Sequence, residues 1–367
     1  MDKNVGKAKT SPIEDRKTLP VFAKYGLIAL AVLVVAAVGL IIYLSIAGSY
    51  VATVGDEKVG TGEFRYYLEL NKQSMYTNAL AVNPSLTEET FWNTKISGED
   101  AREVAKKKAL DDLKQIKIQL IKAKENKITL TKDELKYIDD HIQSTIIDQM
   151  GSGNKIQANK ELQKQFGFSI DDLRNAQIEQ NMIQKYQTSE AQKITISDDD
   201  IKKDYDADPK SYDTVTVRHI LFLFAGSDGK RSKEDSKKLA DDTLAKINAG
   251  EDMTALAEQL SEDPGVTENK GEYVVTKFAG YVPAFKDWAL KADVGDTAVV
   301  ESADSEGYHV MKTEKREPQT FDAVKDQIKN QMILDKFNTD YSAQLDSWKK
   351  DAKYNPAINE SVYNSIK

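Results

Sequence analysis

The sequence contains no cysteine. Disulfides, thiolate metal sites and cysteine nucleophiles are therefore excluded together. The absence suits an exported protein, which then has no thiol to mispair in an oxidising compartment. Histidine is nearly as scarce, with only His141, His219 and His309. His141 falls in a helical stretch with no paired ligand at metal spacing, which argues against zinc. Glycine (19) and proline (8) are too few for a low-complexity chain.

Charge is missing from one long stretch. Residues 25–55 hold no Asp, Glu, Lys or Arg, and 26–47 read GLIALAVLVVAAVGLIIYLSIA. About 20 apolar residues suffice to span the hydrocarbon core as a helix. The preceding 24 residues hold Lys3, Lys7, Lys9, Arg16, Lys17 and Lys24 against three acidic residues. Such a basic cluster favours the cytoplasm. The expected layout is a cytoplasmic leader at 1–24, a transmembrane signal anchor at 25–47, and everything beyond outside the cytoplasm. Cleavage after Ala47, at the small-x-small sequence Ser45-Ile46-Ala47, is the competing reading. The apolar run exceeds the ~7–15 residues of a signal peptide, which favours the anchor. The whole chain is at −8 with a basic leader, so the exported body is more acidic still. Phosphates repel such a body, and no nucleic-acid partner is expected.

Residues 51–62 alternate about Gly55-Asp56, as a hairpin does. Gly60 and Gly62 lack the spacing and the Lys of a phosphate loop. Helical patterns follow at 61–73, 99–126 and 132–150, the last stopped by Gly151-Ser152-Gly153. Another helical pair flanks Phe166-Gly167-Phe168, with Ser169 as the N-cap of its second member. The run Asp198-Asp199-Asp200 follows Ser197. It reads as an acidic helix start, because the spaced ligands of a calcium loop are missing. Residues 214–316 then change character, with strands at 214–224, 297–301 and 307–315 and helices at 233–248, 252–260 and 282–291. After Thr320, apolar residues from Phe321 to Trp348 recur at helical spacing. A helix with no core of its own must pack elsewhere, and the earlier helices are its expected partner.

Four segments of the α+β stretch carry a resemblance. They are Arg218-His219-Ile220-Leu221, Ser261-Glu262-Asp263-Pro264-Gly265, Val282-Pro283-Ala284-Phe285 and Gly307-Tyr308-His309-Val310. In order and spacing this stretch resembles the parvulin peptidyl-prolyl isomerases. The flanks VATVGDEKVGTGEFRYYL and FGFSIDDLRNAQIEQNMI are similar to the chaperone regions of the PrsA–SurA–PpiD group of foldases. The resemblance implies an α+β fold: a parvulin-like domain at 213–316, an antiparallel sheet with surrounding helices, inserted in an all-helical chaperone domain. That domain would comprise 51–205 and be completed by a C-terminal helix at 319–367.

The resemblance also implies a site. By motif match, His219, Asp263 and His309 are the catalytic set, and Tyr273, Tyr281 and Phe285 bind the substrate proline. No cofactor and no metal is implied. The partners implied are unfolded or partly folded exported polypeptides with X–Pro bonds, and the membrane through one helix, with a homodimer left open. Rotation about X–Pro crosses a high barrier but breaks no bond. Apolar walls and a few fixed dipoles around the amide are thus the features such a catalyst needs. One departure stands out. Val274 and Thr276 occupy positions where the family has a glycine and an aromatic residue, and valine adopts positive φ poorly. The function implied is a membrane-anchored extracytoplasmic isomerase and chaperone. The alternative is a non-enzymatic chaperone whose parvulin domain is degenerate, with the two histidines a structural pair.

Overall fold

The computed structural model describes residues 50–303 and 307–366. The expected leader and membrane helix lie outside the described residues. Among the described residues, no helix is long and apolar enough to cross a membrane. These residues form two compact units, one comprising 50–188 and 343–366 and the other Ser189–Ser342.

The first unit opens with the expected hairpin, β1 (Tyr50–Val54) and β2 (Glu57–Gly60). Five main helices follow: α1 (Thr61–Val82), α2 (Ala101–Glu125), α3 (Lys132–Ile142), α4 (Lys155–Phe166) and α5 (Ile170–Ala191). Short polar side chains start them. Asp100 accepts from the Arg102 amide at 2.9 Å, Thr131 and Glu134 form a capping box, and Ser169 Oγ accepts from the Asp172 amide at 3.1 Å. Ala101, Ala105 and Ala109 recur at helical spacing on α2, and all are fully buried. Small side chains there leave room for Phe64, Tyr67 and Leu68 of α1 in the same core. A two-residue strand, Ala357–Ile358, pairs antiparallel with β1, and Tyr363 and Ile366 fill that same core.

One buried cation crosses this unit. Lys117 Nζ lies 2.7 Å from Glu63 Oε1 and 2.7 Å from Glu179 Oε1, so α2 is tied to α1 and α5. A buried ammonium persists only when paired. Burial, then the Glu179 charge, pushes the Glu63 carboxyl up to about 7.

In the second unit, α6 (Asp198–Ala207) starts at Ser197, whose Oγ accepts from the Asp200 amide at 3.1 Å. The acidic run is thus a capped helix start. The elements that follow are β3 (Thr214–Leu223), α7 (Lys233–Asn248), α8 (Met253–Leu260), β4 (Glu272–Val275), α9 (Pro283–Lys291), β5 (Thr297–Ser302) and β6 (Gly307–Glu317). The sheet order is β4-β3-β6-β5, and every pair is antiparallel. Successive side chains alternate between faces. Ile220, Phe222, Tyr308 and Val310 share one buried cluster with residues of α7 and α8. Val217, Val275 and Met311 share the other with Phe285 and Ala289 of α9. The two central strands are therefore covered on both faces.

The helix Phe321–Lys350 supplies apolar positions to two clusters. Val324 and Ile328 pack with Ile201 and Tyr212 in the second unit. Leu345 and Trp348 pack against Val54, Ile118 and Tyr354 in the first.

Candidate functional site

On the face of the sheet covered by α9, the register sets two histidines side by side. His219 on β3 pairs with Met311, and His309 on β6 pairs with Leu221. The two rings are thus diagonal neighbours on one face, close enough to touch. Their Nδ1 atoms stand 3.2 Å apart, with ring centroids at 5.3 Å. Both rings are almost wholly buried, His219 at 5% and His309 at 4% exposure.

Asp263 completes the row. Its Oδ2 lies 3.1 Å from His219 Nε2 and accepts from the Tyr273 hydroxyl at 2.7 Å, while Oδ1 accepts from the Gly265 amide at 3.2 Å. The bond to His219 comes first among the effects that hold its carboxyl well below the usual range, against the opposing effect of burial. An ionised carboxylate only accepts, so His219 Nε2 carries the donated proton. Burial, and then the neighbouring His219, lowers His309 to about 4. His309 is therefore uncharged at neutral pH. The unfolded ring takes up its proton at higher pH than the folded one, so this group costs stability as pH falls from about 6.5 towards 4.

Aromatic rings enclose the row. Phe285, 3% exposed, lies edge-on to both histidines, at 5.1 Å from His219 and 5.4 Å from His309. Tyr273 lies 5.0 Å from His219, and Tyr281 lies 5.8 Å from Tyr273 and 5.5 Å from Phe285. All six residues singled out in the sequence thus meet in one place. His141 lies exposed on the helical unit. Among the described residues, no group of three or more His, Asp or Glu could hold a metal ion.

The backbone around the site explains why the motifs read as they do. Ser261 Oγ accepts from the Leu221 amide at 3.1 Å, and the Glu262 amide donates to Leu221 O at 2.9 Å. Glu262 Oε2 accepts from the Leu223 amide at 2.7 Å and also pairs with Arg231. The loop that carries Asp263 is thereby stitched to the strand that carries His219. Gly271 has φ +76°, and a Cβ there would lie 2.4 Å from His219 O, so only glycine lets β4 approach. Arg218 bonds Glu272, Glu314 and Lys270 O, fastening β4 and β6 to β3. Sequence reasoning missed Ser261, Gly271 and Arg218 as supports. The Ser-Glu-Asp-Pro-Gly and Arg-His motifs contained the signal.

Val274 does not sit at a position that needs positive φ. It lies inside β4 opposite Thr216, and the positive-φ residues nearby are Lys270 and Gly271. Its side chain is 53% exposed, outside the buried row. The backbone objection to an intact pocket therefore falls away.

The PPIC-type PPIase domain matches residues 202–317. The foldase protein PrsA of Clostridium acetobutylicum is 31% identical over 261 residues, covering 67% of this chain and 72% of that protein. The foldase protein PrsA of Caldanaerobacter subterraneus is 25% identical over 309 residues, covering 84% and 87%. The solved foldase protein PrsA from Streptococcus pneumoniae covers 74% of this chain and 97% of its own, at 20% identity and a TM-score of 0.43. With the site on its sheet and this similarity along most of its length, the chain belongs to the PrsA foldase family and carries a PPIC-type peptidyl-prolyl cis-trans isomerase domain.

Proposed function

We propose that this protein is a membrane-anchored extracytoplasmic isomerase and chaperone that assists the folding of exported polypeptides, and that isomerisation occurs over His219, Asp263 and His309. The buried row Tyr273–Asp263–His219–His309 beneath Phe285 carries this reading. A planar X–Pro amide places negative charge on its oxygen through resonance, and the twisted amide loses that charge. An ionised Asp263 beside the carbonyl would disfavour the planar state more than the twisted one. Tyr273, Tyr281 and Phe285 would grip the proline ring and exclude water, which strengthens that effect. The two histidines hold the carboxylate and the sheet in register.

A helical chaperone domain at 51–205, completed by the C-terminal segment at 319–367, would bind unfolded clients, with the domain at 213–316 inserted between its two parts. The membrane anchor at 25–47 would hold both outside the cytoplasm. A proline-isomerisation assay of the full chain on a short X–Pro peptide tests the site. Asp263→Ala and Phe285→Ala should each lower kcat/KM by about tenfold or more, measured at a temperature where each variant is folded, since Phe285→Ala also empties part of a buried cluster and should melt lower. Unchanged turnover in both variants would remove this pocket from the reaction.

A further inference from the structure

Tyr273 does more than line the pocket. Its hydroxyl donates to Asp263 Oδ2 at 2.7 Å, the same oxygen that faces His219 Nε2 at 3.1 Å. The ring belongs to β4, whose only sheet partner among the described residues is β3, while Asp263 belongs to the preceding loop. The bond therefore joins the outer strand of the sheet to the catalytic row. Burial first, and then the bond to Asp263, raises the phenol above its ordinary range, so it remains a donor.

A second observation concerns the space that hydroxyl occupies. Gly265 has an ordinary helical backbone, so no positive φ demands glycine there. A Cβ at Gly265 would lie only 2.7 Å from the Tyr273 hydroxyl oxygen. The missing side chain makes room for the hydroxyl, and the Gly265 amide meanwhile donates to Asp263 Oδ1 at 3.2 Å. The loop is shaped on both sides around one carboxylate and one phenol.

We propose that the Tyr273 hydroxyl is a positioning residue of the isomerase site, fixing the Asp263 carboxylate for the substrate amide, and that Gly265 keeps the space this requires. The inference rests on the reading of this pocket as the isomerase centre. Three donors converge on Asp263, from Tyr273, His219 and the Gly265 backbone. Without the phenol, Oδ2 keeps only the longer bond and the carboxylate is free to turn.

Full-length Tyr273→Phe keeps the ring and loses the hydroxyl, and should lower kcat/KM by about tenfold, the scale of one hydrogen bond to a charged group. In an Asp263→Ala background the same change should have an effect under about twofold, because the effect runs through Asp263. Gly265→Ala should lower turnover in the wild-type background but not further in Tyr273→Phe, where the clashing oxygen is gone. The Asp263 carboxyl resonance should also titrate at higher pH in Tyr273→Phe than in wild type. Wild-type turnover in Tyr273→Phe overturns the proposal, as does an equal loss with and without Asp263. Should Asp263→Ala be too slow to compare, the Gly265 pair decides, with additive losses overturning it. If Asp263→Ala and Phe285→Ala are themselves fully active, the pocket reading fails. If they are impaired and Tyr273→Phe is not, only the present inference fails.

Discussion

Two residues show how position, more than residue type, fixes behaviour. Val274 stands in an extended strand with its side chain half in solvent. Val274→Gly should therefore bring no gain in isomerisation. It should instead cost about 0.5–1 kcal/mol, since glycine in a strand loses more backbone freedom on folding. An isomerase assay beside a denaturant melt reads both. Glu63 behaves oppositely to an ordinary carboxylate. Burial and then Glu179 raise it to about 7 in the folded chain, whereas the unfolded residue titrates near 4.5. Between those values the folded state holds a proton that the unfolded state has released. Stability from this group is thus present at low pH and lost as pH rises through about 7. Glu63→Gln mimics the protonated form. The wild-type melting temperature minus that of the variant should accordingly fall between pH 5 and pH 8. A difference that stays constant over that range would contradict the assignment.

Among the elements, the ones with local signals were legible and the ones built from distant partners were not. The hairpin at 51–62, the Ser197 cap and the strands carrying His219 and His309 each follow from turn chemistry, capping or period. Helix α1 runs to Val82, well past the expected Gln73, because its second half has a weak apolar pattern with little buried. Strand β4 is four residues long and follows the tight approach at Gly271, so it had no alternation to reveal it. The two-residue strand Ala357–Ile358 exists only because β1 offers it an edge. That pairing leads to a prediction about the C-terminal segment. Tyr354, Tyr363 and Ile366 are all buried, at 2%, 8% and 3% exposure. Deleting 352–367 strips three large side chains, each worth about 1.5–3 kcal/mol when fully buried. Thermal melts of the truncated chain should show the helical unit unfolding well before the isomerase unit. A truncated chain that melts like the intact one would show that this segment adds nothing to the core.

At the scale of the whole molecule, the sequence and the structure address different parts. The charge-free run at 25–55 and the basic leader argue for a body outside the cytoplasm. A protease added to intact cells should remove the two units and leave a small membrane-embedded stub, and full protection would exclude export. The structure instead describes how one chain divides. Its second unit, Ser189–Ser342, lies within the sequence of the first, and the helix Phe321–Lys350 supplies apolar residues to both.

The sequence by itself determined the order of most elements and the acidic balance beyond the leader, and its resemblance to the parvulin isomerases supplied the six residues of the candidate site. The first two rest on short-range periodicity and composition, and the last on the family resemblance. Only the tertiary structure decided which donor each of them meets. Tyr273 and Asp263 are ten residues apart, and nothing local says that a phenol will reach a carboxylate across the turn at Gly271. The same holds for Lys117, whose partners Glu63 and Glu179 come from two other helices, and for Val274, whose backbone is set by pairing with β3. Hydrogen bonds, buried charges and strand register are properties of groups brought together by folding, and their energies depend on a distance that no window of sequence contains.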